Sequence, residues 1–193
     1  MAHYIHYAML MYKGTPCVLA LSDGRICHFS FGVGEDSLSQ EIEDTYPKYA
    51  LVRVHPGELH FHAGFHTSAV VKNLVREISW ETLPELSPIY LKATNFQRIV
   101  WQAIRRIPYG ETRTYKQIAE EIGYPRACRA VARACATNNI ALFVPCHRVI
   151  SSSGAISGYK WGVHLKEQIL KEESTNASTR RTSASSGTVE SKT

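Results

Sequence analysis

The feature that most constrains the fold is a pair of short helical patterns separated by a turn. In the first pattern, apolar side chains recur one helical turn apart, at Tyr115, Ile118, Ala119 and Ile122. In the second pattern, the same spacing is repeated by Ala127, Ala130, Val131 and Ala134. Gly123-Tyr124-Pro125 separates the two. Two short helices joined by a glycine-containing turn are typical of a helix-turn-helix, which the chain is therefore predicted to contain.

The polar residues of this motif carry further information. Thr114 and Gln117 have the spacing of a capping box, in which two side chains bind backbone N–H groups at the start of a helix. The second helix carries arginines on its other side, at Arg126, Arg129 and Arg133. This pattern fits a helix that reads a DNA groove. It fits slightly better a plain helical hairpin with a solvated basic face, so the pattern alone leaves both interpretations open.

The first third of the chain has the pattern of a sheet. Short runs of β-branched and aromatic residues predict strands at 4–10, 16–21 and 25–31. Ser22-Asp23-Gly24 predicts a hairpin turn between the last two. Residues 36–46 predict a short exposed helix, 50–62 predict strand or loop, and apolar spacing predicts an amphipathic helix over 67–79.

The second half is predicted to be mostly helical. An apolar stripe predicts a helix over 96–107, which Pro108-Tyr109-Gly110 ends. The apolar run 140–144 is predicted to be buried, and an amphipathic helix is expected over 163–173. Residues 174–193 have almost nothing to bury and are predicted to be disordered.

These patterns together predict an α+β protein of two domains. A small N-terminal α+β domain with antiparallel strands would occupy 1–86, and a mostly helical domain with the helix-turn-helix would occupy 93–173. Two prolines between Trp80 and Pro88 predict the linker.

Charge is distributed unevenly along the 193 residues, whose formal net charge is +5. Residues 1–92 contain 7 Lys/Arg and 10 Asp/Glu, whereas 93–173 contain 12 and 6. The basic surplus favours a polyanionic partner for the second half. No apolar run approaches the roughly 20 residues of a membrane span, and the N-terminus lacks the pattern of a secretory signal. An intracellular, soluble protein without a membrane partner is therefore expected.

Of the five cysteines, one is a candidate nucleophile. Their odd number and the lack of any Cys-x-x-Cys pair argue against a disulfide framework and a thiolate zinc site. Four are interpreted as small buried residues: Cys17, Cys27, Cys128 and Cys135. Cys146 follows the buried run 140–144, stands beside His147 and precedes a Gly/Ser loop. A nearby base or positive charge favours the thiolate, which is the nucleophilic form.

Several longer segments resemble O6-alkylguanine-DNA alkyltransferases. They are FQRIVWQAI, IPYGETRTYKQIA, RAVARA and TNN upstream, and PCHRV, SSSGAISGYKWG and KEQIL around Cys146. The similarity extends from about Asn95 to Glu173, and GYKWG is more similar to the bacterial members than to the vertebrate ones. The resemblance implies DNA repair by direct reversal, an irreversible, single-turnover transfer of the alkyl (methyl) group from O6-alkylguanine to a cysteine.

The resemblance also assigns catalytic roles. Cys146 would accept the alkyl group. His147, acting through a water, would help to deprotonate the thiol, and Glu173 would polarise His147. Asn138 would brace the turns around the site, and Tyr115 would protonate the base as it leaves.

Further residues are implied in DNA binding. Arg129 would fill the gap left when the damaged nucleotide is flipped out of the duplex. Val149 would bind the exocyclic amine of guanine through its carbonyl, and Tyr159 would form a wall of the pocket. Lys116 and Ser152 would contact the DNA backbone.

The implied partner is double-stranded DNA that carries O6-alkylguanine. The resemblance favours the minor groove, whereas the helix pattern alone would suggest the major groove. Cys135, Ser157 and Lys160 are expected to line or border the pocket. We expect a monomer that needs no metal and no organic cofactor, and that acts in the nucleus of a eukaryote or otherwise in the cytoplasm.

Other functions fit less well. An alkyltransferase-like protein, which binds damage without catalysis, lacks the acceptor cysteine, so Cys146 argues against that class. A helix-turn-helix regulator of this family would carry a cysteine-rich cluster upstream, which the sequence lacks. A cysteine hydrolase would need a separate histidine and an oxyanion hole. Four histidines could suggest a metal cluster, but their spacing fits no standard site: His55, His60, His62 and His66.

Overall fold

The computed structural model describes residues 3–63, 71, 88–156 and 158–185. The chain divides into two compact units, Met1–Arg98 with Asn138–Val144, and Ile99–Thr137 with Pro145–Thr193. The helix predicted over 67–79 lies outside the described residues apart from Val71, which is helical and buried. The predicted linker also lies outside them, except for Pro88. The domain limits 1–86 and 93–173 stay predictions.

The first unit is built on a four-stranded sheet in the order β3-β2-β1-β4. Its strands are β1 (Tyr4–Tyr12), β2 (Thr15–Ser22), β3 (Arg25–Phe31) and β4 (Ala50–Arg53). β2 pairs antiparallel with both β1 and β3, and β4 adds a parallel strand beside β1. The three strands predicted from the first third of the sequence are therefore confirmed.

Tight turns connect the first three strands. Lys13 and Gly14 have φ values of 48° and 80°, and Asp23 and Gly24 have 49° and 72°. Two successive residues with positive φ form a type I′ turn, whose twist matches that of antiparallel strands. The hairpin predicted at Ser22-Asp23-Gly24 is confirmed, whereas the turn at Lys13-Gly14 was not predicted.

A helix between β3 and β4 packs on this sheet. The helix predicted over 36–46 is confirmed as α1 (Glu35–Thr45), which buries Leu38 and Ile42. These two residues, one helical turn apart, share a core with apolar side chains of the sheet such as Ile5 and Val18. Residues 50–62 contain β4 and a 3-10 helix, Pro56–His62.

The segment Asn138–Val144 joins the first unit through β3. The Phe29 N–H donates to the Asn139 carbonyl at 2.9 Å, and the Ala141 N–H donates to the Phe29 carbonyl at 2.7 Å. The Phe143 ring packs edge-on against the Phe29 ring, with 5.8 Å between centroids. Residues 140–144 are all buried, as predicted. A stretch from the second half of the sequence thus completes the core of the N-terminal unit.

The second unit is mostly helical. Its helices are α2 (Asn95–Arg105), which begins in the first unit, α3 (Tyr115–Glu121), α4 (Cys128–Ala136) and α5 (Val163–Ser185). α2 confirms the helix predicted over 96–107, although it ends at Arg105. The indole Nε1 of the buried Trp101 donates to the carbonyl of Ala134 at 2.9 Å and so fixes α2 to α4.

The two helices predicted for the helix-turn-helix, and the turn between them, are confirmed. Both halves of the capping box form at the start of α3. The Thr114 hydroxyl accepts from the Gln117 N–H at 3.1 Å, and the Gln117 side chain accepts from the Thr114 N–H at 2.7 Å. Gly123 adopts a φ of 80° in the turn that follows α3, a conformation that glycine adopts without steric cost.

The buried side of α4 differs in part from the prediction. Val131 and Ala134 are buried as expected, and Cys135 joins them. Ala130, which belongs to the predicted apolar stripe, is exposed. Cys128 is only half-buried, because it is the first residue of α4.

The prediction of disorder from residue 174 onward is wrong for 174–185, because α5 continues to Ser185. The hydroxyl groups of this stretch bind carbonyls of the preceding turn. Ser174 and Thr175 donate to Lys171, at 2.8 and 2.9 Å, and Ser178 donates to Ser174 at 2.8 Å. These bonds satisfy the hydroxyl groups within the helix itself. Residues 186–193 lie outside the described residues.

The observed fold class is α+β, as predicted. None of the helices in the described part of the chain has the length and apolar character needed to cross a membrane.

We expect Thr114→Ala to lower the free energy of unfolding by about 1 kcal/mol, because the Gln117 N–H loses its capping partner. Urea denaturation followed by circular dichroism measures this change. Thr112→Ala is the matched control, since Thr112 is exposed and lies outside α3, and its midpoint should equal that of the wild type. Equal midpoints for the two variants would show that the capping box contributes no stability.

Candidate active site

Cys146 lies on the wall of a cavity of about 410 Å³ in the second unit. The cavity is bounded by the helix-turn-helix and by the loop after Ile150, through Tyr115, Ala132, Cys135, Ala136, Cys146, Gly158, Tyr159 and Lys160. Cys146 is only 3% exposed, yet it borders this open space. The volume lies within the range of about 300–1,000 Å³ that is usual for small-molecule sites.

Short local elements bring Cys146 to the cavity. Cys146–Arg148 forms a single 3-10 turn. It leads directly into β6 (Val149–Ile150), which pairs parallel with β5 (Arg113–Thr114). Tyr115 follows β5 as the first residue of α3, so this pairing brings Tyr115 to the same cavity as Cys146. The sequence did not predict this two-stranded pair.

His147, Arg148 and Glu173 form a buried hydrogen-bonded group that we call the acid–base cluster. The Glu173 carboxylate accepts from His147 Nε2 at 2.8 Å and from both Nε and Nη2 of Arg148 at 2.9 Å. The Gly110 N–H donates to the same carboxylate at 3.2 Å. Arg148 also donates through Nη1 to the carbonyl of Ile107 at 2.8 Å.

The electrostatics of this cluster determine which nitrogen of His147 carries a proton. Burial alone would raise the pKa of Glu173, but its hydrogen bonds with His147 and Arg148 outweigh burial and lower it to about 2. Glu173 is therefore a carboxylate at neutral pH, which only accepts hydrogen bonds, so His147 Nε2 is the donor. Burial lowers the pKa of His147, Glu173 opposes this, and the positive charges of Arg148 and Lys166 reinforce it. His147 is thus a neutral ring with its lone pair at Nδ1.

Two charged residues of the site were not predicted, Arg148 and Lys166. Lys166 is fully buried and donates through Nζ to the carbonyl of Val149 at 2.7 Å. Burial lowers its pKa, whereas the thiols of Cys146 and Cys135 act in the opposite direction. A signal existed in the sequence, because Lys166 and Glu173 are seven residues apart and so share one face of a helix.

Tyr115 and Cys135, two further residues of the cavity lining, have raised pKa values. Burial raises the pKa of the Tyr115 phenol to about 12, and the neighbouring Cys135 and Cys146 add to this effect. Burial also raises the pKa of the Cys135 thiol. Tyr115 can therefore donate a proton at neutral pH, and Cys135 stays a thiol. Cys135 and Lys160 line the cavity as expected, and Ser157 lies outside the described residues.

The residues predicted to bind DNA occupy different places. Tyr159 lines the cavity, and its ring stands edge-on to His147 at 6.5 Å. The carbonyl of Val149, predicted to bind guanine, accepts from Lys166, and a carbonyl oxygen has two lone pairs. Lys116, Arg129 and Ser152 are exposed, and within the described part of the chain they do not belong to the cavity lining.

Asn138, the remaining predicted residue, is buried in the first unit. Its side-chain NH₂ donates to the carbonyl of Val144 at 2.9 Å, and its side-chain oxygen accepts from the Ile140 N–H at 2.9 Å. Asn138 thus closes the turn of the buried segment that ends two residues before Cys146.

No group of three or more metal-binding side chains occurs among residues 3–63, 71, 88–156 and 158–185. Of the four histidines considered from the sequence, His62 stacks on His6, with 3.8 Å between ring centroids. His55 caps the 3-10 helix by accepting from the Gly57 N–H. His66 lies outside the described residues.

Comparisons with known proteins agree on one family. Residues 95–175 match the family model for the DNA-binding domain of 6-O-methylguanine DNA methyltransferase. The structure of the Mycobacterium tuberculosis O6-methylguanine methyltransferase OGT in complex with DNA is similar, with a TM-score of 0.64 and 30% identity, over 88% of this chain and 93% of that one.

Among curated proteins, the bifunctional transcriptional activator/DNA repair enzyme Ada of Escherichia coli is 37% identical over 172 residues, which cover 89% of this chain and 46% of Ada. The methylated-DNA–protein-cysteine methyltransferase of Methanosarcina barkeri is 55% identical over 85 residues, which cover 44% of this chain and 54% of the relative. The chain spans about half the length of these curated relatives. The family model and the structural match over nearly the whole length of OGT agree, and the chain therefore belongs to the O6-methylguanine DNA methyltransferase family.

Proposed function

We propose that this protein repairs DNA by direct reversal, transferring the alkyl group of O6-alkylguanine to Cys146 in a single, irreversible turnover. The observation that carries the proposal is that Cys146 borders a cavity whose wall is formed in part by the helix-turn-helix. A base that leaves the duplex beside these helices would enter next to the thiol. The names of the relatives support the same activity, since one is a methylated-DNA–protein-cysteine methyltransferase and OGT was solved with DNA.

The reaction is a displacement at the alkyl carbon. The sulfur of Cys146 forms a bond to that carbon, the bond from carbon to O6 breaks, and its electron pair passes to guanine. Tyr115, whose phenol is protonated at neutral pH, donates its proton to the departing base. The thiol proton passes through a water to Nδ1 of His147. The product is a thioether, which nothing in the site hydrolyses, so each molecule acts once.

The acid–base cluster prepares His147 for this role. Glu173 holds Nε2–H and thereby fixes the ring with Nδ1 as the acceptor. Because burial keeps the ring neutral, the lone pair is available at neutral pH. Asn138 contributes indirectly, because its hydrogen bond to the Val144 carbonyl shapes the segment that leads into Cys146. No metal or organic cofactor is needed for these steps.

DNA binding is assigned to the exposed surface of the helix-turn-helix. The damaged base lies inside the stacked duplex, so the nucleotide has to be flipped out, at a cost of a few kcal/mol. Arg129, exposed on α4, is long and planar enough to fill the gap. We assign α4 to the minor groove. The exposed Ala130 allows close approach there, whereas the buried Ala134 faces the interior of the unit.

Other contacts complete this picture. Lys116 and Ser152, both exposed, would bind phosphates, and the basic surplus of residues 93–173 would supply much of the affinity. Tyr159 would pack against the flipped base. The carbonyl oxygen of Val149 would accept a hydrogen bond from the exocyclic amine of that base. The protein would act as a monomer, in the nucleus of a eukaryote or in the cytoplasm otherwise.

We expect Cys146→Ala to abolish alkyl transfer and to retain binding to DNA that contains O6-methylguanine, because only the acceptor atom is lost. The wild type is incubated with this DNA, and the adduct is located by peptide mass. Cys128→Ala is the matched control, since Cys128 is half-buried outside the cavity lining, and it should transfer normally. A methyl group found on Cys128, or on no cysteine, would contradict the proposal.

We expect Arg129→Ala to slow repair of duplex DNA by at least about tenfold and to leave the reaction with free O6-benzylguanine nearly unchanged, because only the duplex substrate requires flipping. Single-turnover rates on both substrates measure the two effects. Arg126→Ala removes the same charge three residues earlier and serves as the control, with a smaller loss on DNA. Equal losses on both substrates for Arg129→Ala would rule out the gap-filling role.

A further inference from the structure

Helix α5 continues beyond the part of the chain that the family model matches. The match ends at residue 175, whereas α5 continues to Ser185. The first two residues past the match, Asn176 and Ala177, contact the turn that follows α2. The amide of Asn176 donates to the Tyr109 hydroxyl at 3.2 Å. This stretch of α5 is therefore docked on the rest of its unit.

The contact at Gly110 is close. A Cβ atom at Gly110 would lie 2.7 Å from the Cβ of Ala177 and 3.2 Å from the carbonyl oxygen of Glu173. Gly110 also has a φ of 77°, which other residues rarely adopt. Two small residues thus let the turn and the helix approach to backbone distance, and a larger side chain at Ala177 would separate them.

The same turn supports the acid–base cluster. The Gly110 N–H donates to the Glu173 carboxylate at 3.2 Å. The Tyr109 ring lies against the guanidinium of Arg148, with 5.6 Å from the ring centroid to the Arg148 Cζ. An arginine stacked on an aromatic face loses freedom to leave its carboxylate partner. Displacement of the turn would therefore weaken two of the hydrogen bonds to Glu173, those from the Gly110 N–H and from Arg148.

We propose that Tyr109, Gly110, Asn176 and Ala177 form a C-terminal brace that holds Arg148 on the Glu173 carboxylate, which makes Arg148 and the brace positioning residues for alkyl transfer. The inference rests on the proposed function, since it states how the proposed base is kept in its working form. The brace acts on His147 only through Arg148 and Glu173.

The effect on His147 follows from the charges around it. His147 faces the Glu173 carboxylate, the Arg148 guanidinium, the Lys166 ammonium, the Tyr159 ring and the adjacent Cys146. Arg148 neutralises Glu173 at 2.9 Å. When Arg148 is less tightly held, the carboxylate attracts a proton onto His147 more strongly, so the pKa of His147 rises. A protonated ring cannot accept the thiol proton.

The experiment measures the protonation of His147 in the full chain by ¹⁵N NMR of the imidazole ring as a function of pH. We expect Ala177→Leu to raise the pKa of His147 by about 1 relative to the wild type. The rate of transfer from free O6-benzylguanine should become up to about tenfold slower at acidic pH and stay unchanged at alkaline pH. Ser174→Ala, an exposed change on the same helix, should leave both measurements unaltered.

A second variant keeps the test decisive if Ala177→Leu does not fold. Tyr109→Leu removes the ring beside Arg148 and the hydroxyl that binds Asn176, and it should raise the pKa of His147 in the same direction. The brace would be overturned if a folded brace variant had the same His147 pKa as the Ser174→Ala control. This holds even if that variant has a lower melting temperature.

The two proposals fail separately. If the NMR shifts occur as expected but the wild type transfers no methyl group from DNA to Cys146, the brace stands and the proposed function fails. If the wild type transfers the methyl group but neither variant alters the pKa of His147, the function stands and the brace fails.

Discussion

The packing of the second unit around its proposed site depends on the hydrogen bonds that meet at the buried carboxylate of Glu173. It joins the turn that begins at Cys146, the turn that contains Gly110, and helix α5, because residues from each of these elements meet there. Breaking a buried ion pair by removing one partner leaves an uncompensated charge, at a cost of about 3–5 kcal/mol. Because Arg148 neutralises the Glu173 carboxylate, that carboxylate can be buried and can still orient His147. The interaction that closes the unit therefore also sets the state of the proposed base.

In the first unit, the buried side chain of Asn138 likewise holds a segment of the chain in place through hydrogen bonds. The segment Asn138–Val144 is buried but forms no long helix or strand, so its backbone groups need partners from elsewhere. Asn138 supplies two of them and the backbone of Phe29 supplies two more. The chain leaves this segment at Val144, immediately before Pro145 and Cys146. These hydrogen bonds fix the backbone of Asn138–Val144 within the first unit.

The sequence could predict the features that depend on local signals. The first three strands, helix α1 and the capping box of Thr114 follow from periodicity and turn residues, and all are confirmed. The family resemblance supplied Cys146, His147 and Glu173, and the structure brings the last two into contact; their catalytic roles stay predictions. The sequence did not predict the pairing of Arg148 with Glu173, because 25 residues separate them and no local rule selects that partner. The continuation of α5 past 173 brings Ala177 against Gly110, a contact between distant residues that a composition argument cannot detect.

Two thiols border one cavity, yet only Cys146 is proposed to react. Cys135 lies on the buried side of α4, where burial raises the pKa of its thiol, and the thiol form is a poor nucleophile. Cys146 instead begins a 3-10 turn, and the next residue in that turn is His147, the proposed base. The positive charge of Lys166 lowers the pKa of the Cys135 thiol, against the effect of burial, so it does not by itself single out Cys146. Both thiols are buried, with Cys135 8% and Cys146 3% exposed, so the choice of acceptor comes from the placement of the acid–base cluster beside Cys146.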